Sequence, residues 1–186
     1  MSKSALGLMH YWLPYAMEGP TSVSALIHAA TLVTAGLFLI LRTKFMLISG
    51  YTVIFLLVLS SIGILLLALI AIDQFDIKRL VAYSTLSQIC YMLAIIVIGS
   101  PELGLLYLLV HALFKSLMFM SCGGLIHGFY DQQDLRVFGG LSKTQPITSI
   151  FVLDACLSML GVIGTIGCYS KELIVDGFGT SLSVHC

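Results

Sequence analysis

Residues 102–130 read ELGLLYLLVHALFKSLMFMSCGGLIHGFY. Between its two ends everything is apolar or small except Tyr107, His111, Lys115, Ser116, Ser121 and His127. One helix of this length can cross a bilayer, which takes about 20 mostly apolar residues. The only full charge inside it, Lys115, falls near the middle, where a lysine facing lipid costs roughly 3 kcal/mol on insertion scales. Lys115 is therefore expected to face protein. Tyr107, His111 and Lys115 recur every four residues and stack along one helical face. A phenol, an imidazole and an ammonium on one face can form part of a proton path, or can make only polar contacts between helices. A histidine and a lysine together at mid-membrane favour the proton path.

Composition extends this reading to the whole chain. Of its 186 residues 59% are hydrophobic and 10% charged, with a mean hydropathy of +1.05. A soluble domain carries about 25% charge, so the fold class is an all-α integral membrane bundle. The formal net charge is zero, which gives no ground for a nucleic-acid partner. Cys90, Cys122, Cys156, Cys168 and Cys186 are scattered among apolar residues, without the spacing of a metal site. They are expected to pack as small apolar residues, and no metal is expected. The first residues do not read as a signal peptide, because Lys3 is followed by Trp12, Pro14 and Glu18 rather than by a clean apolar core.

Working outward, residues 4–13 are apolar but too short to span alone, and Pro14, Gly19 and Pro20 are expected to stop a helix. Thr21 or Ser22 can cap the next helix. Residues 21–41 form the first span, with Ser24, His28, Thr31 and Ala35 on one small and polar face; His28 there reads equally as relay member or packing residue. Residues 50–72 form an almost purely aliphatic second span, expected to face lipid or serve as a packing wall. Residues 80–99 form a third, with Ser84, Gln88 and Tyr91 on a face expected to turn inward. Residues 128–146 read as a loop. A fifth apolar segment starts at Pro146 and is interrupted around Gly161, Gly164 and Gly167, ahead of Lys171. It reads either as a helix broken inside the membrane beside a lysine or as a span ending near Gly167. Asp73, Asp76, Asp131 and Asp134 read as solvated loop groups. The linkers 14–20, 73–79 and 129–145 share one side and carry Lys78, Arg79, Arg136 and Lys143, against Arg42 and Lys44 on the other. That side is expected to face the matrix or cytoplasm.

Four stretches carry a resemblance: WLPYAMEGPTSVSALIHAATLVTAG (12–36), DIKRLVAYSTLSQICYM (76–92), HALFKSLMF (111–119) and SKE (170–172). In order and together they resemble the antiporter-like membrane subunits of proton-pumping NADH:ubiquinone oxidoreductase (respiratory complex I), subunit five above all. The large subunit of multi-component sodium/proton antiporters shares these motifs more distantly. The resemblance implies part of an antiporter-like inverted-repeat fold, about five transmembrane helices plus partial broken helices, with lysines and histidines along the membrane midplane. Carried over by motif, the proton relay would be Lys3, His28, His111, Lys115 and Lys171. Desolvation favours the neutral form of an amine and a nearby carboxylate favours the ammonium, so such sites can load and release protons, with histidine bridging them.

The implied activity is proton translocation coupled to electron transfer from NADH to ubiquinone, in the mitochondrial inner membrane, with a bacterial plasma membrane as the alternative. No cofactor is expected in this chain, since it shows no nucleotide fingerprint or cysteine cluster; NAD, flavin and iron–sulfur clusters would belong to other subunits. Expected partners are the other membrane-arm subunits, the lipid bilayer, and a separate polypeptide supplying further helices. The sequence departs from the family at Tyr15 (usually Asp), Ser22 (usually Pro), Tyr107 (often a second His) and Asp154 (usually apolar or glycine). The family-like domain is placed at residues 1–178, and residues 179–186 are read as a tail without resemblance. The chain is expected to be a fragment, covering the end of one repeat and the start of the next. Competing expectations are an inactive structural piece, and an electron carrier using His28 and His111 as haem ligands.

Overall fold

A computed structural model of the chain describes residues 2–43, 50–98 and 100–185, with backbone only at residues 7, 8 and 178–185. Lys44, Gly99 and Cys186 lie outside the described residues. A single 3-10 turn at Gly7–His10 leads into α1 (Trp12–Ala16). Pro14 sits inside α1 rather than ending it. Its missing N–H falls in the first turn, where no intrahelical acceptor exists. Pro20 is extended, with φ −57° and ψ 145°, and α2 (Thr21–Val23) follows directly. Neither Thr21 nor Ser22 caps this helix, because Thr21 is already its first residue. The helix continues through a π-helical segment, Ser24–Thr31, into α3 (Leu32–Arg42). Thr31 Oγ1 donates to Leu26 O at 3.0 Å, the five-residue reach of the widened turn.

The following elements are α4 (Gly50–Ile72), α5 (Ile77–Ile98), α6 (Pro101–Gly128), the short α7 (Leu141–Thr144), α8 (Pro146–Leu160) and α9 (Ile166–His185). Thr21–Arg42, α4, α5 and α6 are each long and apolar enough to cross a membrane, and the chain is a multi-pass membrane protein. The fifth apolar segment is shorter than a span. With 15 residues, α8 is about 22 Å long at 1.5 Å per residue, against a hydrocarbon core of about 30 Å. It ends at Gly161, whose φ of +80° is left-handed and suits glycine. The chain turns through residues 161–165 and resumes as α9, so the segment is a broken helix, and α9 runs on through the tail.

In the bundle α5 is central, buried between α4, α6 and α3. α4 buries one stripe, Leu56, Ser60, Gly63 and Leu67, and leaves most of its other side chains exposed, as a lipid-facing wall would. α6 runs between α5, the π segment and α8. Its pairing with α8 is antiparallel: Gly128 meets Gln145, and a Cβ at Gly124 would lie 3.1 Å from Thr148 Cγ2.

The linkers expected on one side do meet at one end. Asp76 and Asp134 form an isolated antiparallel bridge, with Leu135 N donating to Phe75 O at 2.9 Å. Lys78 Nζ donates to Gly19 O at 3.1 Å. Lys78, which the sequence places in the linker 73–79, is thus a residue of α5. It lies in the first turn of α5, 7% exposed, and ties the turn before α2 to that helix.

Candidate functional site

The polar face of α5 meets the polar face of α6. Lys115 is 1% exposed. Its Nζ donates to Ser84 Oγ at 2.6 Å and lies 3.4 Å from Val81 O. No ion pair to Lys115 occurs among the described residues, whose salt bridges are Arg79–Asp76 and Arg136–Asp134 at the exposed end. Two turns along α6, Tyr107 OH donates to Gln88 Oε1 at 2.5 Å, and its ring meets that of Tyr91 edge-on at 5.6 Å. Between them lies His111, also 1% exposed, with its ring centroid 6.4 Å from that of Tyr107. Neither ring nitrogen of His111 has a hydrogen-bond partner among the described residues. The four-residue spacing on α6 and the Ser84, Gln88, Tyr91 spacing on α5 therefore interlock into one buried polar seam. Among the described residues its amine is held by neutral oxygens alone.

His28 lies in the π segment, half-buried, with its ring 5.9 Å from that of Trp12. That segment packs on α6, and a Cβ at Gly123 would lie 2.8 Å from Thr21 Oγ1.

Lys171, on the first turns of α9, reaches back to the end of α8. Its Nζ donates to Met159 O and lies 3.4 Å from Leu160 O. A cation there meets the carbonyl end of a helix, where its charge is favourable. Lys171 also lines a cavity of about 310 Å³ with Ser87, Gln88 and Tyr91, so the α5 face opens toward it. Lys3 is exposed and stands apart from the seam. It lines a cavity of about 740 Å³ with Ser4, Gly36, Thr43 and Thr52.

The structure thus brings Tyr107, His111 and Lys115 together with Ser84 and Gln88, sets Lys171 on a cavity that Gln88 also lines, and places Lys3 on a different cavity. The carbonyl oxygens that receive Lys171, and Val81 O beside Lys115, carry no side-chain signal and were not legible in sequence. The left-handed glycine at 161 was the nearest available sign of the first.

Residues 1–183 match the family described as NADH:quinone oxidoreductase/Mrp antiporter, TM. NADH-ubiquinone oxidoreductase chain 5 of Ceratotherium simum is 44% identical over 180 residues, covering 96% of this chain and 30% of that protein. Its counterpart of the same name in Acanthamoeba castellanii is 42% identical over 186 residues, 100% of this chain and 28% of that protein. The chain therefore spans under a third of the length of these curated relatives. Among solved structures, a chain of the Mrp complex from Dietzia sp. DQ12-45-1b superposes with a TM-score of 0.90 at 23% identity, over 99% of this chain and 35% of that one. A chain of the archaeal membrane-bound sulfane sulfur reductase gives 0.86 at 24% identity, over 95% and 37%. At such identities the two structures speak for the fold alone. With its match running from residue 1 to residue 183, the chain belongs to the NADH:quinone oxidoreductase/Mrp antiporter transmembrane family.

Proposed function

We propose that this chain works in the membrane arm of an NADH:ubiquinone oxidoreductase of the mitochondrial inner membrane. There it carries protons across the bilayer while NADH, flavin and iron–sulfur chemistry proceeds in other subunits. The observation that carries this reading is Lys115, which lies fully buried near the middle of α6 and whose nitrogen, among the described residues, hydrogen-bonds a serine hydroxyl and a backbone carbonyl.

An amine so placed responds strongly to arriving charge. A unit charge moved to within about 10 Å changes its proton's free energy by about 1.7 kcal/mol at an effective dielectric of about 20. That is more than a tenfold change in proton affinity. In this reading Ser84 and Val81 O fix the amine in place. His111 beside it takes and returns the proton. Gln88, which accepts from Tyr107, borders the cavity that Lys171 also lines, and there the end of α8 holds the second amine. His28 feeds the seam from the π segment, and Lys3 stands at the far end of the path.

The test is native electrophoresis of source membranes, with mass spectrometry and NADH dehydrogenase staining of each band, followed by reconstitution of the band that holds this chain. The expected result is co-migration with NADH dehydrogenase activity, and NADH-driven proton uptake that needs no sodium. Sodium-dependent proton exchange without NADH oxidation would overturn the reading in favour of an antiporter. The chain running alone, without activity, would overturn it in favour of a structural piece.

A further inference from the structure

Asp154 stands inside α8, with apolar residues for a full turn on both sides. The α6–α8 register fixes its depth. Gln145 is level with Gly128 at the end of α6, and Thr148 with Gly124. Asp154 is then level with Phe119, one turn from Lys115 and roughly 14 Å from that end at 1.5 Å per residue. Its side chain does not turn toward the bundle. Ala155 and Ser158 are the buried residues of α8, whereas Asp154 is exposed on a stripe with Ile147, Ile150, Phe151 and Leu157.

The lysines of the helices packed on α8 are committed elsewhere. Lys115 is turned to α5, and Lys171 to the carbonyls that end α8. Lys143 lies on α7, before α8 begins. Among the described residues Asp154 forms no ion pair. A carboxylate at this depth on a lipid-facing stripe is among the least favourable placements in a membrane helix, and such groups face protein and pair.

We infer that the Asp154 stripe of α8 is a docking surface for another transmembrane helix, one that carries a lysine or arginine level with Asp154. Charge complementarity selects the occupant. An acyl chain or an uncharged helix would cover Ile147, Ile150, Phe151 and Leu157 equally well but would leave the carboxylate unmet. The inference rests on the membrane placement of α8 and not on the proton path, so it stands or falls apart from the role of Lys115.

Two measurements on the assembled membrane complex test it. The first is the amount assembled, read on native gels, for Asp154→Leu and Asp154→Glu. A paired cation predicts that Asp154→Leu lowers assembly at least fivefold, because the partner's charge is left buried and unpaired, while Asp154→Glu stays within twofold of the parent. An unchanged or raised amount for Asp154→Leu is what a lipid-facing carboxylate would give, and it would overturn the inference. The second uses dicyclohexylcarbodiimide on intact membranes, read by peptide mass spectrometry. An ion-paired, helix-covered carboxylate is expected to stay unmodified until detergent dissociates the complex. Modification in intact membranes at the same rate as in the dissociated chain would overturn it.

Discussion

Replacing Gly167 by alanine asks whether the two halves of the broken helix must cross as closely as they do. A Cβ at Gly167 would fall onto the Ser158 carbonyl, with the carbonyl carbon 2.8 Å away. Ordinary carbon contacts lie at about 3.5–4.0 Å. The obstacle is α8 backbone, which cannot rotate aside, and its nearest atom, the Ser158 oxygen, would lie 1.7 Å away, so α8 and α9 must separate by roughly 1.5 Å. Overpacking of this kind costs about 1–3 kcal/mol. The separation also pulls Lys171, one turn further along α9, away from Met159 O and Leu160 O. A charged hydrogen bond adds about 1.5–3 kcal/mol, for about 3–5 kcal/mol in all. At about 2–4 °C per kcal/mol for a chain of this size, the Tm of the complex in mild detergent should fall by roughly 10 °C, or assembly should fail. Gly124→Ala is the comparator. There the nearest atom is a methyl, Thr148 Cγ2 at 3.1 Å, at the end of a side chain. A few tenths of an ångström of side-chain movement relieve it, and the loss should stay below about 1 kcal/mol. Equal Tm values for the two variants would refute the claim that backbone contact closes the α8–α9 crossing.

Three further outcomes concern the seam and its anchor. Ser84→Ala removes the 2.6 Å partner of Lys115 and leaves only a carbonyl at 3.4 Å, beyond good hydrogen-bond range. The loss of about 1.5 kcal/mol of hydrogen bonding should lower proton uptake per NADH oxidised, by no more than Lys115→Met does, and uptake equal to the parent's would remove Ser84 from the path. Tyr107→Phe leaves Gln88 unsatisfied and should destabilise the complex by about 1–3 kcal/mol; pairing it with Gln88→Leu should recover at least half, and strict additivity in that double-mutant cycle would deny the bond. Lys78→Met breaks the 3.1 Å bond to Gly19 O and should cost about 1.5–3 kcal/mol in thermal denaturation, whereas a solvated loop charge would cost nothing.

Much of the fold was legible because membrane spans announce themselves by length and apolarity. The aliphatic stretch 50–72 became α4 residue for residue, and the polar faces of α5 and α6 were readable from helical spacing before either partner was known. What spacing could not convey was which faces meet. That Ser84 receives Lys115 and Gln88 receives Tyr107 depends on the relative rotation of two helices, and packing sets that rotation. The same blindness applies to backbone acceptors. Gly19 O gives Lys78 a buried place that the sequence presents as a charged linker. The break at residues 161–165 lay open between two readings because glycines lower helix propensity without saying whether the chain turns. The left-handed φ of Gly161 and Gly164 decided it. Pro14 misled for the opposite reason, since a proline ends a helix only where its N–H is needed.

The central claim is that Lys115 carries protons, and the most direct test is the number of protons taken up per electron from NADH in vesicles bearing the complete complex. The comparison is between the parent and Lys115→Met, at matched amounts of assembled complex. The account predicts a lower ratio for Lys115→Met, with NADH oxidation persisting once the membrane is uncoupled. An unchanged ratio in a fully assembled variant would contradict it, and would leave the buried seam of α5 and α6 as a packing device between helices.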